Sequence, residues 1–180
     1  MSSDEYLKSI KARMGLFEKI ISYIPGYRGY KEKELRRESD KLIRMAVADR
    51  LKDAKHIVKI SLASPSIIER LSSKDLWEVQ SLLAKLDRLA QRISRAVAGY
   101  AGLFDIAKVK EDKLEMIMMC DYRMISIAEK IRSEALSLLS LKVGSENWRK
   151  ELDKIAKLLD RLDSEIDKRY EILRRMTERI

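Results

Sequence analysis

Cations and tyrosines are concentrated in residues 27–44, where seven Lys and Arg residues and two Tyr residues stand with four acids. Cations neutralise phosphate and aromatic rings stack on bases, so this combination is typical of proteins that hold single-stranded nucleic acid. The acids could instead pair with the cations along a solvated helix, with the tyrosines packed under a loop, and this second interpretation is favoured. The residues that would contact an anion or nucleic acid are Tyr27, Arg28, Tyr30, Lys31, Lys33, Arg36 and Arg37.

Two glycines in the preceding turn offer a different anion site. Gly26 and Gly29 can adopt backbone conformations that present N–H groups ahead of a helix, where a phosphate could bind. The tract lacks the Gly-Lys-Ser or Gly-Lys-Thr ending of a nucleotide-binding loop. A tight turn between two helices is therefore the preferred interpretation.

Metal and nucleophile chemistry have little support in the sequence. Asp53 and His56 have the three-residue spacing of carboxylate-bridged metal sites, but His56 is the only histidine. The soft sulfur ligands of residues 116–120 would suit copper, although methionine more often fills gaps in a core. With one imidazole no catalytic triad can be proposed, while carboxylate pairs of the glycosidase type are left open. We predict no metal, no cofactor, no small-molecule substrate and no enzymatic activity.

Asp121 is the polar residue that the pattern places among apolar ones. It shares a helical stripe with apolar neighbours, and a buried carboxylate must find a partner or lose its charge. Tyr100, Arg50 or a backbone donor could satisfy it as a structural group, and a functional carboxylate is the alternative. The stripe consists of Leu114, Ile117, Met118, Met124, Ile125, Ala128 and Ile131.

Helical periodicity and capping residues account for nearly the whole chain. The only two prolines and six glycines fall mainly between the periodic segments. No segment alternates with the two-residue period of a strand. The predicted helices cover residues 3–24, 31–60, 65–71, 74–98, 106–141 and 146–179.

Heptad spacing is clearest in the third long helix and in the last one. Leu83, Ala90 and Ile93 belong to the earlier seam, and Leu159 and Ile166 to the later one. Arg169 is the one break in the apolar series of the last helix. Helices of this length must pack lengthwise, so we predict an all-α fold, an antiparallel bundle of four to five helices with coiled-coil-like helices in the C-terminal half, as a single domain over residues 1–180.

The composition predicts a cytoplasmic protein. The single cysteine, Cys120, excludes an internal disulfide framework, and neither a membrane-spanning segment nor a secretion signal is visible. Scarce Asn and Gln with abundant Lys, Arg and Glu suggest a thermophilic source. The net charge is +9, of which +6 falls in residues 1–60, and such a field attracts anionic partners.

Two stretches resemble a family of helical bacterial and archaeal proteins with no established function. They are Pro-Gly-Tyr-Arg-Gly-Tyr-Lys-Glu-Lys-Glu at residues 25–34, continued through residue 41, and Tyr-Ala-Gly-Leu-Phe-Asp at residues 100–105, continued by Lys-Val-Lys at residues 108–110. The resemblance implies a standalone helical protein and names no activity or site residue.

These patterns favour a non-enzymatic helical interaction or scaffold protein. A protein partner or a second copy would bind through the last helix, whose heptad seam is longest. The alternative is a nucleic-acid or ribosome-binding protein that uses the basic first third of the chain. A second alternative is association with an acidic membrane surface through residues 3–24, where Lys8, Lys11, Arg13 and Lys19 flank an apolar stripe.

Overall fold

A computed structural model of the protein describes residues 15, 18–20, 22–23, 34–69, 71–96 and 111–177, with the side chains of residues 34–40, 65–66, 111–115 and 176–177 outside that description. Five α-helices lie in these ranges, and none of the described residues forms a strand. The predicted all-α helical bundle is confirmed. The helices are α1 (Glu34–Ser61), α2 (Pro65–Ile68), α3 (Ser73–Arg95), α4 (Glu111–Ser137) and α5 (Glu146–Thr177).

The predicted and observed helices differ mainly at their ends. The predicted helix at 65–71 is the four-residue α2, and the one at 106–141 ends at Ser137 before a 3₁₀ turn, Leu138–Ser140. Gly144 has a φ of 78°, a left-handed conformation that glycine adopts without strain, and it turns the chain into α5. Of the predicted helix at 3–24, residues 15, 18–20 and 22 are helical and the rest lie outside the described residues.

The chain forms two compact units. Unit 1 takes its described residues from within 1–46, 96–125 and 165–180, and unit 2 consists of residues 47–95 and 126–164. The sequence pattern, which predicts one domain over residues 1–180, does not indicate this grouping.

Ion pairs in unit 2 show that two pairs of neighbouring helices run parallel. Arg50 of α1 contacts Glu129 of α4, and three residues further along both helices Asp53 contacts Arg132. The α3–α5 pair follows the same rule, since Asp75 contacts Arg149 and Lys85 contacts Asp160. Residue numbers rise together on both partners, so α1 is parallel to α4 and α3 is parallel to α5.

The long helices that are joined by the connections at residues 62–72 and 138–145 run antiparallel. Lys55 of α1 pairs with Asp87 of α3, and the residues between the two helices are few. Lys154 of α5 pairs with Glu134 of α4 at 2.6 Å, beside the short turn that joins them. The order of helices around unit 2 is therefore α1, α3, α5, α4, so each helix has one parallel and one antiparallel neighbour.

The apolar stripes of these helices meet in the core of unit 2. The predicted seam residues Ile93 and Leu159 are buried, while Leu83 is half-buried because the buried face of α3 is centred on its neighbours. Each fully buried aliphatic side chain stabilises the fold by about 1.5 to 3 kcal/mol. The α3 and α5 side chains of this core are Val79, Leu82, Leu86, Leu89, Ala90, Ile93, Trp148, Leu152, Ile155, Leu158, Leu159 and Leu162. Among the described helices, none is long and apolar enough to cross a membrane.

Candidate functional site

Trp77, on the second turn of α3, is the most exposed large apolar side chain among the described residues. Its side chain is 68% exposed, because it lies beside the buried stripe of α3 rather than on it. A tryptophan in water leaves a large apolar area unburied, and tryptophan is enriched at the centres of protein interfaces. Trp77 is therefore the centre of the candidate site.

A shallow groove of about 240 Å³ runs beside Trp77 between α3 and α5. Leu82 and Leu152, each only 4% exposed, line the groove on its inner side, so its base is apolar. We call the groove and its rim the Trp77 surface. It consists of Trp77, Glu78, Ser81, Leu82, Lys85, Leu152, Asp153 and Ala156.

The charged residues of the Trp77 surface are engaged in ion pairs within the same unit. Lys74 Nζ lies 3.8 Å from Glu78 Oε1. Lys85 Nζ lies 2.5 Å from Asp160 Oδ1, and Lys157 Nζ lies 2.5 Å from Asp153 Oδ2. The three pairs cancel in charge, so this surface is locally neutral in a chain that carries +9. An apolar contact, rather than a strong electric field, is what such a surface offers to a partner.

A capping box formed by Ser72 and Asp75 fixes the start of α3, which begins four residues before Trp77. The amide of Asp75 donates to Ser72 Oγ at 3.1 Å, and the Ser72 hydroxyl donates to Asp75 Oδ2 at 2.7 Å. Arg149 of α5 donates from Nε and Nη2 to the two oxygens of Asp75, at 2.6 and 2.9 Å. These donors, Arg149 first and Ser72 second, hold the pKa of Asp75 well below its ordinary value. The bidentate contact ties the start of α3 to α5 and so sets the position of Trp77.

Asp121 is buried, at 1% exposed, and its partner is Arg169. Arg169 Nε donates to Asp121 Oδ1 at 2.7 Å, and the arginine is itself buried. The partners expected from the sequence were wrong in one case, because Arg50 pairs with Glu129 at 2.5 Å. Tyr100 lies outside the described residues. In the sequence, the sign of this partner was Arg169, which interrupts the apolar series of the last helix.

Two further polar groups lie close to this buried pair in unit 1. Glu165 is buried and accepts a hydrogen bond from Lys168 at 2.7 Å, while its Oε2 lies 3.7 Å from Arg123. Burial raises the pKa of the Cys120 thiol, and the charges of Glu165 and Asp121 raise it further. A buried thiol with a raised pKa stays protonated at neutral pH and is a poor nucleophile. The cluster therefore has the properties of a structural contact between α4 and α5.

In unit 2, the carboxylates of Glu134 and Glu151 both lie close to the ammonium group of Lys154. Lys154 Nζ lies 2.6 Å from Glu134 and 3.5 Å from Glu151. The hydrogen bond from Lys154 lowers the pKa of Glu134, whereas burial and the neighbouring Glu134 raise that of Glu151. Two carboxylates with opposite shifts beside one cation hold α4 against α5.

The residues that the sequence offers as metal ligands are not brought together to form a site. Asp53 pairs with Arg132 at 3.4 Å, and His56 is exposed. Met116 and Met119 are exposed whereas Cys120 is buried, so these sulfur atoms lie on different faces of α4. Over the ranges that the structure describes, no three His, Cys, Asp or Glu residues are placed to hold a metal ion.

The predicted anion-contact residues fall outside the description. Tyr27, Arg28, Tyr30, Lys31 and Lys33 are not described, and Arg36 and Arg37 belong to α1 without described side chains. The nucleic-acid hypothesis, like the membrane hypothesis for residues 3–24, therefore stays a prediction.

One cation at the end of the basic tract has a structural role. Arg44 is buried and donates from Nη1 to the carbonyl oxygen of Ala96, directly after the C-terminus of α3. A cation at this end of a helix satisfies a free carbonyl and interacts favourably with the helix dipole. Arg44 therefore helps to stabilise the fold of unit 1.

No protein-family model matches the sequence, and no curated protein or solved structure is significantly similar to it. The class of protein defined by the geometry is an all-α helical bundle. The site must therefore be interpreted from its own contacts, and the Trp77 surface is the part of it that sequence reasoning missed. The signal in the sequence was Trp77, which lies outside the apolar stripe of its helix.

Proposed function

We propose that the protein is a non-enzymatic helical interaction protein that binds a second copy of itself through the Trp77 surface. The observation that carries the proposal is a 68% exposed tryptophan beside a groove with an apolar floor and a rim of closed ion pairs. An apolar anchor within a ring that excludes water is the arrangement that dominates binding energy at many interfaces.

A second copy suits this surface because of its charge. Two chains of +9 repel each other, and a contact between them requires a surface that adds no further repulsion. The three ion pairs around Trp77 meet this requirement. In a two-fold symmetric contact each Trp77 would enter the groove of the other copy, and a buried tryptophan removes about 150 to 250 Å² from water.

The last helix, α5, contributes to the Trp77 surface through a different face from the one that carries its heptad residues. Its seam residues Trp148, Ile155 and Leu162 are fully buried within the chain, so they are not accessible to a partner. Asp153 and Ala156, which lie beside that seam, face the groove. A partner bound at the Trp77 surface would contact α3 and this side of α5.

Sedimentation equilibrium at tens of micromolar tests the proposal. We expect the wild-type chain to be a dimer and Trp77→Ala to be a monomer with unchanged helical circular dichroism. Tyr170→Ala is the matched control, since Tyr170 is an aromatic residue of α5 that is 65% exposed and lies in unit 1. A wild-type monomer at these concentrations, or equal weakening by both substitutions, contradicts the proposal.

A further inference from the structure

A second groove, of about 420 Å³, lies at one end of unit 2. It is built where α1 and α4 end and where the connections to α3 and α5 pass, and it shares no residue with the Trp77 surface. We call it the end groove. Its lining consists of Ile60, Ser61, Ile67, Leu71, Leu138, Leu139, Leu141, Lys142 and Val143.

The described side chains that line the end groove are mainly aliphatic, and none of them is aromatic. Ser61 is a polar lining residue, but its hydroxyl already donates to the carbonyl oxygen of Val58 at 2.7 Å. Ile60 and Leu139 are about half exposed, at 48% and 50%, so the mouth of the groove is apolar as well. Such a groove suits a flexible hydrocarbon chain better than a polar or planar ligand.

Among the described lining residues, Lys142 is the charged one. It is exposed, and none of the ion pairs among the described residues includes it. An ammonium group at the mouth of an aliphatic groove favours a ligand that ends in an anion, because the chain is buried while the head group remains hydrated beside the cation.

We infer that the end groove binds a single-chain fatty acid, with the hydrocarbon along the aliphatic walls and the carboxylate beside Lys142 Nζ. The volume falls within the range of about 300 to 1,000 Å³ that small-molecule sites occupy. The inference is independent of the proposed self-association, since it rests on different residues.

Isothermal titration of the full chain with octanoate, decanoate and dodecanoate, each below its micelle concentration, tests the inference. We expect one binding site per chain and an affinity that rises by about fourfold for each buried methylene group until the groove is filled. Val143→Phe, which places a larger side chain in the groove, should abolish binding of dodecanoate.

Charge and location are tested by two lysine variants. Lys142→Gln should weaken dodecanoate binding by about two- to fivefold, the effect of losing one exposed ion pair, whereas Lys130→Gln on α4 should leave it unchanged. Trp77→Ala should also leave it unchanged. Dodecyltrimethylammonium, which has the same chain and the opposite charge, should bind more weakly than dodecanoate.

Four results would overturn the inference. These are no binding of dodecanoate, equal binding of the cationic amphiphile, and equal effects of the two lysine substitutions. The fourth is binding to phosphatidylglycerol vesicles without binding of monomeric dodecanoate, which would identify the apolar mouth as a membrane-contact surface.

Discussion

The starts of α3 and α5 each carry a tryptophan, and the two side chains have opposite environments. Trp148 follows the Ser145 cap, whose hydroxyl oxygen accepts from the Trp148 amide at 3.2 Å, and its side chain is 0% exposed. Trp77 follows the Ser72 cap on the parallel neighbouring helix, and its side chain is 68% exposed. Residue type and local capping are alike, so the position of each residue around its helix decides the difference.

This comparison separates residues that hold the bundle from residues that are accessible to a partner. The buried stripe of α5 runs from Trp148 to Arg169 and includes polar residues that have their own contacts. The Trp77 surface is polar at its rim and apolar at its centre. We therefore expect changes in the stripe to alter the free energy of unfolding, and changes at Trp77 to alter association instead.

The largest effect is expected for Trp148→Ala. Deleting a fully buried tryptophan should lower the free energy of unfolding by about 3 to 5 kcal/mol, measured by urea denaturation. Among the described residues no group accepts a hydrogen bond from the indole Nε1, so the expected loss comes from packing. A loss below about 1 kcal/mol would mean that Trp148 does not pack in the core as described.

The second largest loss of stability is expected for substitution of Arg169, the buried arginine in the α5 stripe. Arg169→Met removes the Arg169 ion pair of the buried Asp121 carboxylate and should cost about 3 kcal/mol. The double variant Asp121→Leu with Arg169→Met should recover most of that loss, because it removes both charges. A double variant as unstable as the single one would show that packing, rather than loss of the Asp121–Arg169 ion pair, is responsible.

A smaller and pH-dependent effect is expected at the start of α3. Asp75→Asn weakens the capping box and the Arg149 contact and should cost about 1 kcal/mol at neutral pH. The pKa of Asp75 is lowered in the folded chain, so its contribution is complete above the unfolded value of about 4 and is lost as pH falls toward the folded value. Wild type and variant should therefore converge in stability below about pH 4, and a constant difference down to about pH 2 would contradict the assignment.

The smallest effect on stability is expected for Trp77→Ala. An exposed side chain away from the core should change the free energy of unfolding by less than about 0.5 kcal/mol at concentrations too low for association. Urea denaturation at submicromolar concentration measures this, with Trp148→Ala as the contrasting variant. A loss of 2 kcal/mol or more would place Trp77 among the residues that hold the fold.

The helical fold could be predicted from the sequence because it depends on short-range periodicity. The apolar series through Leu159 and Ile166 identified the buried stripe of α5, and the predicted helix at 146–179 begins where α5 begins. The order of helices around unit 2 could not be predicted, because it depends on long-range pairs such as Arg50 with Glu129. Periodicity identifies which face of a helix is buried and carries no information about which helix covers it.

The candidate site was harder to predict for the same reason. Burial of Asp121 followed from its stripe, but its partner is 48 residues away on α5 and was not identified. The Trp77 surface requires α3 and α5 to lie side by side, with Leu152 closing the floor of the groove. A groove formed by two helices has no signature in the pattern of either one.

Iodide quenching of tryptophan fluorescence tests the role of Trp77 most directly. The wild-type chain has two tryptophans, and because Trp148 is fully buried, iodide reaches Trp77 alone. If a second copy binds at the Trp77 surface, the quenchable fraction is high at submicromolar protein and falls as the concentration rises to tens of micromolar. A quenchable fraction that is the same at every concentration would contradict the account.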